Sequence, residues 1–183
     1  MVGERGHILY SHDSHQWQQA SVPTRATLTS VFLLDEHTGW AVGHDAVILK
    51  TSDGAKSWTR VFSAVEEEAP LLDVYFQDAS NGLVVGAYGL VYRTSDGGES
   101  WIFSPLELEE SETASQEDEF EYTEVNDLHY NDLAHAGDQR FYLAAEAGYI
   151  LRSDDNGSSW LELNSPYHGS FFVVLPLSRA DVL

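Results

Sequence analysis

The chain has 183 residues, of which 43% are hydrophobic, so it is long enough to bury a core. Its 30 acidic and 9 basic residues give a formal net charge of −21, which argues against nucleic acid as a partner and against an anionic membrane surface. The absence of cysteine excludes disulfides and thiolate metal ligands, and no apolar run approaches the ~18 residues of a membrane span, so we expect no direct membrane insertion.

The chain begins inside a repeat unit. The Val-Gly pair at 2–3 matches the Val-Gly pairs at 42–43 and 85–86, but the apolar strand that precedes the later pairs is missing before the first. The first unit, at 1–20, is therefore predicted to lack its first strand and much of its second. No signal peptide is visible in residues 1–25, and we attribute this to a truncated N-terminus.

Two complete units follow, at 27–63 and 70–104, and each is predicted to contain four short strands. The strands of the first unit are expected near 28–34, 40–43, 47–51 and 57–62. Those of the second are expected near 71–76, 83–86, 90–94 and 100–103. Short strands at spacings of about 8–12 residues, with turn residues between them, are typical of all-β proteins. A third unit is predicted at 125–164, and residues 169–183 form an incomplete unit that starts with another first strand.

Residues 105–124 interrupt the repeat. Nine acidic residues and no Lys or Arg lie between positions 107 and 124. Like charges with few apolar side chains do not repay the entropy of ordering, so we expect a solvated, mobile and dispensable acidic insertion loop. A cation-binding or partner-docking loop is the alternative.

A motif of the form Ser/Thr-x-Asp-x-Gly/Ala-x-Ser-Trp recurs in three units and ends at tryptophans 58, 101 and 160, and a worn copy that is one residue shorter ends at Trp17. Periods of roughly 40–45 residues are typical of propellers. Alternating β-formers on both sides of Asp-Gly predict a tight hairpin there. We call each copy of this motif a box, and its residues are predicted to have a structural role. They are Asp13, Thr51, Asp53, Ser57, Trp58, Thr94, Asp96, Gly98, Ser100, Trp101, Ser153, Asp155, Gly157, Ser159 and Trp160.

Each box residue has a predicted local task. The carboxylate is expected to accept backbone N–H groups of its own loop, and the tryptophan is expected to pack between units. Glycine at the fifth position permits a positive φ, and Ala55 holds that position in the first complete unit. These tasks are structural and require no ligand.

The motif resembles the Asp-box (BNR) repeat, and the longer pattern Val-Gly-x-x-Gly-x-Ile/Val-x-x-Thr-Ser-Asp-Gly-x-x-Ser-Trp resembles the Ycf48/HCF136 family of photosystem II assembly and stability factors. The similarity covers most of the chain outside 105–124. It implies a β-propeller of four-stranded antiparallel blades, seven in the family, of which this chain holds about four, two of them incomplete. It also implies an exported, periplasmic or extracytoplasmic scaffold without catalysis that binds another protein, including a membrane-protein complex.

A glycan-active or glycan-binding protein is the alternative, because Asp-box propellers include sialidases. A sialidase needs three arginines converging on a carboxylate, but Arg93 and Arg152 hold equivalent positions in successive units and indicate a repeated structural slot. Other glycosidases need two carboxylates at a defined separation, and the sequence singles out no pair. We therefore expect no catalytic residues.

No metal or cofactor is predicted. His7, His12 and His15 alternate along a strand and a turn, which favours surface histidines, and the box acids do not match the spacing of a calcium loop. The sequence leaves the partner-binding surface unassigned. Exposed terminal units lead us to expect either a piece of a longer propeller or self-association of two arcs that cover each other's ends.

Overall fold

The computed structural model describes residues 1–109 and 125–183, and its regular structure there consists of short β-strands. The N-terminal sheet contains β1 (Leu9–Tyr10) and β2 (Gln18–Gln19). Blade 1 contains β3 (Leu28–Leu33), β4 (Gly39–Gly43), β5 (Val47–Thr51) and β6 (Thr59–Phe62). Blade 2 contains β7 (Leu71–Phe76), β8 (Gly82–Gly86), β9 (Val91–Thr94) and β10 (Ile102–Phe103). Blade 3 contains β11 (Tyr130–His135), β12 (Phe141–Ala145), β13 (Ile150–Ser153) and β14 (Leu161–Leu163).

Within each blade the four strands pair antiparallel in chain order. The second strand of each blade, β4, β8 or β12, is buried along its whole length, because both of its faces pack against neighbouring sheets. Helical structure in the described residues is limited to three-residue 3₁₀ turns at Glu4–Gly6, Val65–Glu67 and Val125–Asp127. None of these is long enough to cross a bilayer. The all-β, four-stranded-blade prediction is confirmed.

The prediction of a tight hairpin at Asp-Gly was wrong. Lys50 pairs with Thr59, so residues 52–58 form a wide loop between β5 and β6. The tight turn lies one connection earlier, between β4 and β5, where Asp45 and Ala46 have φ angles of 61° and 45°. The wide loop is stable because its own Asp side chain, rather than a second strand, satisfies its backbone N–H groups.

Neighbouring blades pack face to face through apolar and aromatic side chains. Between blades 1 and 2, Trp40 stacks on Phe76 with ring centroids 3.4 Å apart and an interplanar angle of 9°. Trp101 meets Phe76 edge-on at 5.8 Å. Separate buried clusters lie between blades 2 and 3, around Leu143 and Trp160, and between the N-terminal sheet and blade 1. Each blade thus covers the next, as expected for a repeat array.

Residues 171–183, which we name the C-terminal hairpin, lie against blade 3. Phe171 N donates to Ala145 O at 2.9 Å, and Pro176 forms an isolated bridge with Val182. Leu177 N donates to Asp181 O at 2.8 Å, just as Leu34 N donates to Thr38 O in blade 1. The segment therefore has the position and turn of a β3–β4 hairpin, although it contains a single bridge instead of two strands.

The start of the predicted insertion belongs to the packed structure. Leu106 is buried among the residues between blades 2 and 3. Trp160 N donates to Glu107 O at 2.9 Å, and Glu109 N donates to Trp160 O at 2.8 Å. Residues 105–109 are thus fixed by blade 3, which corrects the expected start of a mobile loop. The rest of the predicted insertion, 110–124, lies outside the described residues.

Candidate functional site

The Asp-box loops close on their own carboxylates. In blade 1, Asp53 accepts hydrogen bonds from Ser57 N at 3.0 Å and Ser57 Oγ at 2.6 Å. Thr51 Oγ1 donates to Asp53 at 3.0 Å and accepts from Ala55 N at 3.2 Å. These hydrogen bonds, led by those from Ser57, lower the pKa of Asp53 to about 2. The carboxylate is therefore an acceptor for its own loop.

The boxes of blades 2 and 3 repeat this geometry. Asp96 accepts from Ser100 Oγ at 2.6 Å, and this bond is the main reason that its pKa is lowered. Asp155 accepts from Ser159 N at 2.9 Å and Ser159 Oγ at 2.8 Å. Burial raises the pKa of Asp155, but the hydrogen bonds from Ser159, Ser153 and Ser158 together outweigh it and the net shift is downward. Thr94 Oγ1 and Ser153 Oγ accept from the backbone N–H groups of Gly98 and Gly157, at 2.9 and 2.8 Å.

The box of the N-terminal sheet keeps the carboxylate but not the buried tryptophan. Asp13 accepts from His15 N at 2.8 Å and Gln16 N at 2.7 Å. Trp17 is half exposed, whereas Trp58, Trp101 and Trp160 are buried between sheets. Each of the three buried tryptophans packs against the sheet that precedes its own, and no described sheet precedes Trp17.

Two inner-strand aspartates that the sequence reasoning missed link neighbouring blades. Asp73 of β7 accepts from Ser30 Oγ at 2.6 Å and from Leu133 N of blade 3 at 2.9 Å. Asp132 of β11 accepts from Val174 N at 2.8 Å. Burial raises the pKa of both carboxyls, against the opposing effect of these hydrogen bonds. Both aspartates lie two residues after the start of the first strand of their blade, and this shared position in the repeat is the sequence signal that could have identified them.

The arginines that could have suggested a sialidase do not meet in one pocket. Arg93 donates through Nη2 to Gly157 O of the next blade and through Nε to Ser104 Oγ at 3.1 Å. Arg152 pairs with Asp154 at 3.1 Å within its own blade. Each arginine is thus held locally, as expected for a repeated structural slot.

The predicted surface histidines lie apart from any ligand cluster in the described part of the chain. His7 Nδ1 lies 2.8 Å from Glu4 O, and the ring of His12 meets Tyr10 edge-on at 5.7 Å. Among the described residues no group of three His, Asp or Glu side chains has the arrangement of a metal site.

A cleft of about 490 Å³ lies between the N-terminal sheet and the start of blade 1. It is lined by Arg5, Gly6, His7, Gln19, Ala20, Val22, Pro23, Thr24 and Arg25. Both arginines are exposed, and neither forms an ion pair with another described residue. Two arginines without an ion-pair partner thus line one cleft of a chain whose net charge is −21.

The backbone holds both arginines in place. Arg5 lies in a left-handed conformation, φ 55°, in the tight turn equivalent to Asp45-Ala46. Gly6 N donates to Ala26 O at 2.9 Å, and Ala26 N donates to Thr24 Oγ1 at 3.0 Å. A Cβ on Gly6 would lie 2.2 Å from Thr24 O, so this close approach of the two segments requires glycine.

A second cleft, of about 510 Å³, lies on the Asp-box side between blades 2 and 3. Its lining includes Gln77, Arg93, Ser100 and Asn156. The Arg93 guanidinium is already bonded to Gly157 and Ser104, so its charge is less available to a ligand than the charges of Arg5 and Arg25.

Four-stranded antiparallel blades that pack face to face and close with Asp-box loops define an Asp-box β-propeller. The family model described as photosynthesis system II assembly factor YCF48 matches residues 9–71 and 61–125. These matches cover more than half of the sequence, and the chain belongs to this family. The resemblance drawn from the motifs is thereby confirmed.

A short stretch of the chain resembles a curated member of this family, and two solved structures share its fold. A 46-residue stretch is 37% identical to the photosystem II assembly protein Ycf48 of Thermosynechococcus vestitus, and covers 25% of this chain and 13% of that protein. A solved structure described as YCF48 bound to D1 peptide superposes with a TM-score of 0.65 at 24% identity, covering 89% of this chain and 49% of the other. YCF48 from Cyanidioschyzon merolae gives a TM-score of 0.56 at 20% identity, covering 80% and 40%.

A more distant likeness shows the fold alone. An ancestral GH74 enzyme superposes with a TM-score of 0.66 at 13% identity, covering 91% of this chain and 22% of the other. This chain thus spans about half the length of the solved YCF48 structure, and less of the enzyme.

Proposed function

We propose that this chain is a noncatalytic propeller scaffold that binds a carboxylate-bearing peptide segment of another protein in the cleft of Arg5 and Arg25. The observation that carries the proposal is that Arg5 and Arg25 line one cleft and neither has an ion-pair partner among the described residues. Arginine presents a planar fork of donors that matches a carboxylate, and such charge-assisted hydrogen bonds are the strong ones.

The net charge of −21 does not prevent this binding. Exposed charges farther apart than about 8 Å are largely screened at physiological ionic strength. Contacts inside the cleft therefore decide the affinity, and the repulsion at longer range mainly slows association at low salt.

The family assignment supports a role of this kind. One YCF48 relative was solved with a D1 peptide bound, and another is described as a photosystem II assembly protein. We infer from this a partner in a membrane-protein complex and an assembly role, together with an exported location. The exported location rests on the family resemblance alone.

Glycan binding is less well supported by the geometry. The box carboxylates are bonded to their own loops, and Arg93 and Arg152 are held in different blades. The likeness to the GH74 enzyme is at 13% identity and concerns the fold.

The test is fluorescence anisotropy with a labelled Asp/Glu-rich peptide that ends in a free carboxylate. The double variant Arg5→Ala/Arg25→Ala should bind at least about tenfold more weakly, because each charge-assisted hydrogen bond contributes about 1.5–3 kcal/mol. Arg60→Ala, an exposed arginine on β6, is the matched control and should bind as the unchanged protein does.

Two further measurements separate carboxylate binding from the glycan alternative. An amidated version of the peptide shows whether the terminal carboxylate matters, and a fluorogenic glycosidase panel tests the alternative. Equal losses in the double variant and in Arg60→Ala, or turnover of a glycoside, would overturn the proposal. Pull-down from a native membrane extract with both variants then looks for the partner.

A further inference from the structure

In blades 1 and 3, the backbone at the box tryptophan pairs with an extended segment of this chain. Trp58 N donates to Ser21 O at 2.9 Å, and Trp160 N donates to Glu107 O at 2.9 Å. A parallel β-bridge lies beside each of these contacts. Both segments belong to the connection that arrives from the preceding sheet, and each acts as an additional strand at the outer edge of its blade.

Blade 2 lacks this additional strand. The backbone O of Glu99 and the backbone N–H and C=O groups of Trp101 have no hydrogen-bond partner among the described residues. The connection from blade 1 reaches this place at Val65, just after the buried Ala64, and begins a 3₁₀ turn there instead of an extended segment. Because blades 1 and 3 flank blade 2 on both sides, the opening does not come from a missing neighbour. We call this unpaired backbone edge of residues 99–101 the edge slot.

The tryptophan at the edge slot also lacks the side-chain hydrogen bond of its counterparts. Nε1 of Trp58 donates to Ala55 O at 3.2 Å. Nε1 of Trp160 likewise donates to Gly157 O at 2.9 Å. Nε1 of Trp101 is buried without a partner among the described residues. The box of blade 2 is therefore held by fewer bonds of its own than the other two, and its edge is open to pairing with another chain.

Aromatic and acidic side chains border the edge slot on the side of blade 1. Phe103 is 53% exposed, and its ring centroid lies 5.8 Å from that of Tyr92. Tyr92 also meets Phe62 of blade 1 at 4.8 Å. Burial, together with the charges of Glu67 and Glu66, raises the pKa of the Tyr92 hydroxyl, so both carboxylates lie near these rings. Neither carboxylate forms an ion pair with another described residue.

We propose that the edge slot of blade 2 binds an extended segment of another protein that carries lysine or arginine at alternate positions. Such a segment supplies the backbone donors and acceptors that Trp101 lacks, as residues 21 and 107–109 do for its counterparts. Its side chains alternate in direction, so those on one side meet Phe103 and the nearby carboxylates. A cation is favoured there by charge pairing and by attraction to the face of an aromatic ring.

The charge of the whole chain favours the same partner. A net charge of −21 raises the rate at which basic segments reach the surface. The acidic insertion between 107 and 124 contains no Lys or Arg, so its chemistry does not match the slot. The slot lies between blades 1 and 2, away from the cleft of Arg5 and Arg25, and it selects the opposite charge. Binding here is therefore independent of the carboxylate site proposed above.

Hydrogen exchange of the tryptophan backbone amides tests whether the slot is open. In protein with isotope-labelled tryptophan, NMR should show slow exchange for Trp58 and Trp160, and exchange at least about tenfold faster for Trp101, which lacks their hydrogen bond. A capped peptide of alternating threonine and lysine should slow the exchange of Trp101 and leave the other two amides unchanged. Slow exchange of Trp101 without peptide, or no slowing with it, would overturn the proposal.

Fluorescence anisotropy with the same peptide tests the border of the slot. Phe103→Ala should weaken binding at least about threefold, through the lost cation–π contact. Ile102→Ala is the matched control, because Ile102 is also exposed on β10 but lines the cleft between blades 2 and 3, and it should bind as the unchanged protein does. Equal effects of the two substitutions would overturn the proposal, and circular dichroism confirms that each variant is folded.

Two further comparisons separate specific pairing from general attraction to an acidic protein. Glu66→Gln/Glu67→Gln should weaken binding at least about threefold, and clearly more than Glu4→Gln/Glu36→Gln, which removes the same charge at exposed positions elsewhere. A peptide N-methylated at alternate residues keeps its charge but cannot pair through its backbone, and it should bind at least about tenfold more weakly. Equal binding of the methylated peptide, or equal losses in the two double variants, would overturn the proposal.

Discussion

Ala55 and Gly98 hold the same position in successive boxes, both with a positive φ, 65° and 84°. Ala55→Gly removes the cost of a left-handed alanine but also a buried methyl group, so we expect a change within about 1 kcal/mol. Gly98→Ala should destabilise by about 1–3 kcal/mol, because its Cβ would lie 2.7 Å from Trp40 Nε1. Urea unfolding of both variants is the measurement, and equal effects would contradict the assigned crowding.

The box carboxylates should make the fold acid-sensitive. Hydrogen bonds from Ser57 hold the folded pKa of Asp53 at about 2, below its ordinary 3.8, and those from Ser100 lower the pKa of Asp96. At a pH between the folded and the unfolded pKa of such a carboxylate, the unfolded chain binds more protons than the folded chain. The contribution of the carboxylate to stability is therefore complete above its ordinary pKa, and it is lost as pH falls toward its folded pKa. The raised pKa of Asp73 has the opposite sign, since its contribution is lost as pH rises.

The corresponding experiment is a series of thermal melts between pH 5 and pH 2, a window of about three units around these pKa values. Tm should fall toward the acid end, and the fall should be shallower in Asp96→Asn, which keeps an acceptor oxygen but does not titrate. An unchanged acid slope in that variant would show that Asp96 is not bonded as described.

At the scale of the element, the box loop and its tryptophan act as a unit that joins two sheets. Trp160 is buried, donates from Nε1 to Gly157 O at 2.9 Å, and pairs through its backbone with residues 107 and 109. Trp160→Ala should therefore cost about 3–5 kcal/mol, through lost burial and the cavity left behind.

Trp17→Ala is the matched control for that loss. Trp17 stands at the same motif position but is 47% exposed, so its truncation should cost clearly less. Chemical denaturation of the two variants gives the comparison, and similar losses would mean that Trp17 is covered in solution.

At the scale of the whole molecule, the first residues of the acidic insertion, 105–109, are held by blade 3, whereas 110–124 lie outside the described residues. Replacing residues 110–124 with a Gly-Ser segment of equal length should leave cooperative unfolding intact, because the like charges of the segment disfavour ordering. Extending the replacement back to residue 105 should destabilise the fold, since Leu106 is buried and the backbone of residues 107 and 109 is hydrogen-bonded to Trp160. Calorimetry of the two replacements tests this boundary, and loss of cooperativity in the shorter one would contradict it.

Local sequence signals were enough to predict the repeating unit and the residues of its boxes. Apolar strands at short spacing, the Asp and Ser of each motif and its closing tryptophan predict four-stranded blades, because each of these features acts within a few residues of its own position. Positive φ at Ala55 followed from the same reasoning. Charge and composition also led to the prediction that nucleic acid is not a partner, since both are properties of the whole chain whatever its fold.

Contacts between blades could not be predicted from the sequence. That Asp73 accepts from Ser30 and Leu133, or that Arg5 and Arg25 line one cleft, depends on how segments far apart in the chain approach each other. The width of the Asp-Gly loop was likewise set by the pairing of Lys50 with Thr59. The sequence by itself determined the repeating unit, and the tertiary structure decided which surfaces face a neighbour and which stay free, because burial depends on the blade that packs alongside.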